Sequence, residues 1–187
     1  MGTFVYLHGF ESGPSSAKAR EAAAFLARDG RGASLQCPQL PVHPAEAFAL
    51  LEGLCAPLPP DSVLIGSSLG GFYATWAAER FDLRAVLINP AVRPFDRLAE
   101  LAGERVHPYT GEHYHLDMDD MNALRDRFVP RPDPRRYWLV LGTADETLDW
   151  REAARHYAGA RQTLFNGDDH RLNRWPECLP SLSDFAV

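Results

Sequence analysis

Cysteine is scarce in this chain. Cys37, Cys55 and Cys178 are three in number, far apart, and free of C-x-x-C spacing. An odd, scattered set speaks against a disulfide framework and suits reduced, buried thiols in a cytosolic protein. Lysine is scarcer still, since Lys18 is the only one among 19 basic residues. Acidic residues outnumber basic ones, and the formal net charge of −6 gives no reason to expect nucleic acid or an anionic membrane surface as partner. No apolar run is long enough to span a bilayer and no charged-then-apolar leader is visible, so membrane insertion and secretion are both unexpected. Internal repeats and low-complexity tracts are missing too. What is present is the composition of an ordinary soluble globular protein, 45% hydrophobic and 24% charged, and 187 residues suffice for a single domain with a real core.

Along the chain, short apolar runs alternate with helical periodicity. Thr3 to Leu7, Ala33 to Cys37, Val63 to Ile65, Arg84 to Asn89, Arg136 to Leu141 and Gln162 to Asn166 read as six strands. Between them, helices are expected after Ser15 or Ser16 up to Asp29-Gly30, from Pro44 through Leu54, after Gly70-Gly71, and from Asp149 to Tyr157. A last helix is expected between Arg174 and Phe185, with Pro176 near its start. This alternation implies a mostly or wholly parallel six-stranded sheet with right-handed crossovers and helices on both faces. Residues 90–134 break the rhythm. That insert contains two helical stretches, Phe95 to Leu101 and Asp117 to Phe128, and lies on the side where the strands end. It reads as a short helical cap over a pocket, not as a second domain.

The chemistry centres on Gly66-Ser67-Ser68-Leu69-Gly70-Gly71. A buried strand leads in and a helix leads out, the context of a G-x-S-x-G nucleophile elbow with Ser68 at its apex. So sharp a turn strains the serine, and side chains two positions to either side would collide with neighbouring backbone, hence Gly66 and Gly70. A hydroxyl needs a base, and a neutral histidine needs a carboxylate to fix its tautomer. In an elbow fold these follow in the order Ser, Asp or Glu, His. His170 follows the sixth strand and Asp145 the fifth, both at strand C-terminal ends. Glu146 and Asp149 are rivals to Asp145, although Asp149 is more simply a helix N-cap. Asp168 and Asp169 would have to bend backwards to reach the ring of His170. The amides of Leu69 and Phe10, the latter in the loop after the first strand, are the expected oxyanion donors. His8 reads as a structural histidine and Ser67 as pointing into the sheet. His113, His115 and Asp117 invite a metal reading, but without a second ligand cluster they read as polar surface, and no metal is assigned.

Five segments then carry a resemblance. Tyr6-Leu7-His8-Gly9-Phe10, Gly66 to Thr75, Asn89-Pro90-Ala91-Val92-Arg93-Pro94, Pro108-Tyr109-Thr110-Gly111 and Gly142-Thr143-Ala144-Asp145-Glu146 make the chain similar to the YqiA-like esterases, small bacterial α/β-hydrolases. The resemblance spans nearly the whole chain. It implies a three-layer α/β-hydrolase fold and a cytoplasmic serine esterase using Ser68, Asp145 and His170, without a cofactor. Short-chain acyl esters and acyl-CoA thioesters are the substrates it implies. One departure is local: Gly167-Asp168-Asp169-His170 stands where Gly-Gly-Asn-His is expected, and the added carboxylates would be expected to favour the charged ring. A non-catalytic binding module on the same fold would keep the glycines and need no base. A thioesterase or peptidase would share every residue named.

Overall fold

The computed structural model describes residues 2–28 and 35–185. Six strands form one sheet in the order β2-β1-β3-β4-β7-β8: β1 Phe4–Leu7, β2 Leu35–Gln36, β3 Val63–Ser67, β4 Arg84–Ile88, β7 Tyr137–Gly142 and β8 Arg161–Phe165. Every pairing in it is parallel. Parallel sheets are covered on both faces, and the apolar runs seen in the sequence are the result. Val5, Leu7, Leu64, Leu87, Leu139 and Leu141 face one core. Phe4, Tyr6, Ile65, Ile88, Trp138 and Val140 face the other.

The first core is closed by α2 Pro44–Cys55, α3 Leu69–Phe81, α5 Met118–Arg125 and α6 Trp150–His156, together with α4 Pro94–Leu98. The second is closed by α1 Ala17–Arg28 and the C-terminal tail. That tail departs from the expected regular helix. Trp175–Ser181 is a 3-10 segment with Pro180 inside it, and only α7 Leu182–Phe185 is α-helical. Proline removes a donor and clashes with the preceding turn, so a tighter, irregular winding replaces an α-helix. Trp175, Cys178, Leu179 and Leu182 nevertheless bury their side chains. The expected end of α1 at Asp29-Gly30 and the start of the second strand at Ala33 lie outside the described residues.

The insert between β4 and β7 is only partly helical. After α4 and a 3-10 turn at Ala99–Leu101 comes an antiparallel hairpin, β5 Gly103–Val106 and β6 His113–Leu116, before α5. Along β6 the side chains alternate, with Tyr114 and Leu116 buried and His113 and His115 exposed. His115 pairs with Glu104 across the hairpin. Asp117 caps α5, accepting from the amides of Asp119 and Asp120. The three residues that invited a metal reading therefore point to separate tasks, and among the described residues no group of His, Cys, Asp or Glu is arranged to hold a metal ion. No described helix is long and apolar enough to cross a membrane.

Candidate active site

Parallel strands send all their C-terminal ends to one edge, and three of those ends meet there. β3 passes directly into α3 through Ser68, whose φ of 55° and ψ of −120° put it in the strained region. The glycines around it are required by contact. A Cβ at Gly66 would lie 2.4 Å from the carbonyl oxygen of Gly70, and one at Gly70 would lie 2.0 Å from that of Leu7. Both neighbours are backbone and cannot swing aside. The Ser68 amide donates to Ile88 O, and the Ser68 carbonyl accepts from Gly71 and Ala91, which fixes the turn from both sides.

His170 reaches this turn from the loop after β8. Its Nε2 lies 3.2 Å from Ser68 Oγ. Its Nδ1 lies 2.7 Å from Asp145 Oδ2, on the loop after β7. An ionised carboxylate only accepts, so Nδ1 carries the hydrogen and Nε2 presents its lone pair to the hydroxyl. The Asp145 side chain is 1% exposed. Its other oxygen accepts from the amides of Thr147 and Leu148, which keeps a buried charge solvated by the protein. Glu146 Oε2 instead accepts from the His170 amide, and Asp149 caps α6. Asp169 accepts from the Arg171 amide and Asp168 from the Arg174 amide, so hydrogen bonds within their own loop occupy both added carboxylates.

The first loop lies against the serine. A Cβ at Gly9 would sit 3.2 Å from Ser68 Cβ. Among the described residues no hydrogen bond uses the amides of Phe10 and Leu69, and Leu69 opens α3, where free N–H groups and the positive end of the helix dipole gather. His8 is buried behind this loop; its Nε2 accepts from the Leu40 amide. Burial holds its pKa below the ordinary 6.5. Ser67 is buried and lines a cavity beside Tyr6.

Two residues essential to this geometry are not evident from spacing. Asn89, at φ 40° and 3% exposed, accepts from the Gly142 amide and donates to the carbonyls of Asp169 and His170. It ties the loop bearing His170 to the ends of β4 and β7; a buried polar residue closing an apolar strand was the available signal. Glu11, at φ 50°, takes both arms of Arg105 at 2.7 and 3.0 Å and the Tyr114 hydroxyl at 2.9 Å. The Arg105 guanidinium also lies 5.5 Å from the ring centroid of Phe10. The insert hairpin is thereby anchored to the loop whose amide faces Ser68.

Two open cavities flank the serine. One, of about 540 Å³, includes Leu69, Ala91, Val92, Leu98 and Leu148 in its wall. The other, of about 580 Å³, includes Tyr6, Lys18, Glu21 and His170. Phe10, Ser68 and Thr147 border both and form the ridge between them.

A model of an uncharacterised protein family, UPF0227, matches residues 3–187. The chain belongs to this family. It is the YqiA family of the sequence resemblance. Among solved structures, the chain is similar to a provisionally assigned hydrolase from Agrobacterium vitis S4, with 21% identity and a TM-score of 0.72 over 99% of this chain and 88% of that one. A provisionally assigned hydrolase of the alpha/beta superfamily from Xanthomonas campestris pv. campestris shares 23% identity with a TM-score of 0.60, over 99% and 95% of the two chains. Est1E from Butyrivibrio proteoclasticus, in its complex with ferulic acid, shares 14% identity with a TM-score of 0.72 over 99% and 88%. The fold is that of the α/β-hydrolases.

Proposed function

We propose that this family member is a serine esterase that hydrolyses short-chain acyl esters and acyl-CoA thioesters through Ser68, His170 and Asp145. The observation that carries this reading is the hydrogen-bonded line from Asp145 Oδ2 through His170 to Ser68 Oγ, beside two amides with no acceptor among the described residues. Ser68 Oγ attacks the acyl carbonyl while its proton passes to His170 Nε2. The negative charge on the tetrahedral oxygen falls to the Leu69 and Phe10 amides, each such donor contributing on the order of 10²-fold in rate. The carbonyl carbon then releases the alcohol oxygen, which takes the proton from His170. Water repeats the sequence on the acyl-enzyme and frees the acid. Asp145 holds the ring and stabilises the imidazolium throughout. No step needs a cofactor, and the partner is a small cytoplasmic ester and not a nucleic acid or a membrane.

A fluorophosphonate probe tests the nucleophile directly, and a panel of p-nitrophenyl esters and acyl-CoAs tests the leaving group. The expected result is one adduct, on Ser68, and kcat at least about 10⁴-fold lower in Ser68→Ala and in His170→Ala. An unlabelled Ser68 with no turnover would favour the binding module in place of the enzyme.

A further inference from the structure

The two cavities at Ser68 differ in which step of the chemistry they can serve, and in charge. Only the second is walled by His170. A departing oxygen must lie within hydrogen-bond reach of His170 Nε2 to receive its proton, so the alcohol portion of an ester belongs in that cavity. The acyl portion belongs in the first, whose floor is the apolar Val92, Leu98 and Leu148.

Around the acyl cavity stand four carboxylates, Asp96, Glu100, Asp149 and Glu152, against the guanidinium groups of Arg93 and Arg97. In the wall of the alcohol cavity stand Lys18 and Arg171 against Glu21, with Asp145 and Asp169 near enough to act on Lys18. In a chain of net charge −6, a wall with two cations to one carboxylate runs against the average. Lys18 donates one hydrogen to the carbonyl of Arg171, and no ion pair to a carboxylate is formed by its ammonium among the described residues. Two of its three hydrogens remain for another acceptor. Burial holds its pKa below the ordinary 10.5, only partly offset by the charges of Glu21, Asp169 and Asp145. The buried Ser16 hydroxyl lines the same cavity and has no hydrogen-bond partner among the described residues. A half-buried cation gains more from an incoming anion than a fully solvated one would.

We propose that Lys18 makes this cavity a subsite for esters whose alcohol portion carries an anionic oxygen group, a carboxylate or a phosphate. The inference rests on acyl transfer at Ser68 and names the substrate class of that same site.

The test compares matched pairs: o-nitrophenyl butyrate with 3-butyryloxy-4-nitrobenzoate, and 1-butyrylglycerol with 1-butyrylglycerol 3-phosphate. The readout is the ratio of kcat/KM, anionic over neutral, within each pair. Because Lys18 also holds the carbonyl next to His170, a purely structural loss in Lys18→Met would lower both members of a pair and cancel in the ratio. We expect the ratio to fall about tenfold in Lys18→Met for at least one pair, which identifies the anion, and to persist in Lys18→Arg. Glu21→Gln removes the opposing carboxylate and should raise the same ratio two- to threefold, about 0.5 kcal/mol at 1.4 kcal/mol per tenfold. Ratios unmoved in both pairs by both substitutions would overturn the inference while leaving the esterase reading intact. Hydrolysis that persists at wild-type rate in Ser68→Ala would instead remove the esterase reading beneath it.

Discussion

Replacing Asn89 with alanine tests whether the placement of His170 depends on a residue that hydrogen-bonds to neither the Ser68 hydroxyl nor the His170 imidazole. The substitution deletes an acceptor at 2.8 Å from the Gly142 amide and donors at 3.1 and 3.2 Å from the carbonyls of Asp169 and His170. Each such bond is worth about 1 kcal/mol net, so the three together contribute about 3 kcal/mol. Alanine is also a poorer occupant of φ 40° than asparagine, which tolerates the left-handed region through local hydrogen bonds. For a domain of this size the loss corresponds to a fall in Tm of roughly 6–12 °C. Freed of its tether, the loop can carry the imidazole off line, and a displacement near 1 Å costs about 10²-fold in rate. Thermal unfolding measures the first effect and turnover of a p-nitrophenyl ester, well below the lowered Tm, measures the second. The decisive comparison adds His170→Ala: with the base gone, Asn89→Ala should no longer lower residual turnover, while its cost in Tm should remain. A variant with Tm and kcat both at wild-type levels would refute the tethering argument.

Gly70→Ala should prevent folding, because its Cβ would meet backbone at 2.0 Å, whereas Gly53→Ala, with nothing within 4 Å, should stabilise α2 by about 0.5–1 kcal/mol; soluble yield and urea unfolding separate the two. Arg105→Gln leaves Glu11 only the Tyr114 hydroxyl and should cost about 2 kcal/mol, read as a fall in Tm, with kcat about tenfold lower because the Phe10 loop loses its brace. Burial depresses the pKa of His8 below 6.5, so the unfolded chain binds the proton more readily than the folded one. Its contribution is complete above pH 6.5 and is lost as pH falls below that value. His8→Gln should therefore flatten the decline of Tm between pH 7 and 5 relative to wild type.

The elbow was legible in the sequence because its requirements are local: a glycine two residues either side of Ser68, an apolar run before it and a helix after it. The six parallel strands were legible for a similar reason, since each strand ends where a glycine, proline or polar turn interrupts an apolar run; their order across the sheet was not. Asp145 and His170 could be named as candidates from their positions after β7 and β8, but their approach to Ser68 depends on how the loops close. The hairpin of β5 and β6 went unseen because its alternation places His113 and His115 on an exposed face, where polarity resembles a loop. Asn89 and the Glu11–Arg105 pair could not be assigned roles, as their partners lie 53 to 94 residues away in the chain. Pro180 marked the tail as irregular and was overlooked because the surrounding apolar spacing suits a helix.

The ridge of Phe10, Ser68 and Thr147 has a consequence for the order of events. Under the proposed acyl transfer, a molecule cleaved astride it leaves its two halves on opposite slopes, each with its own way out to solvent. The first product can depart without passing the half still bonded to the serine, and the space it vacates faces His170. In the proposed two-stage reaction, water would enter by that same door, so the terrain gives each half of the substrate a separate route.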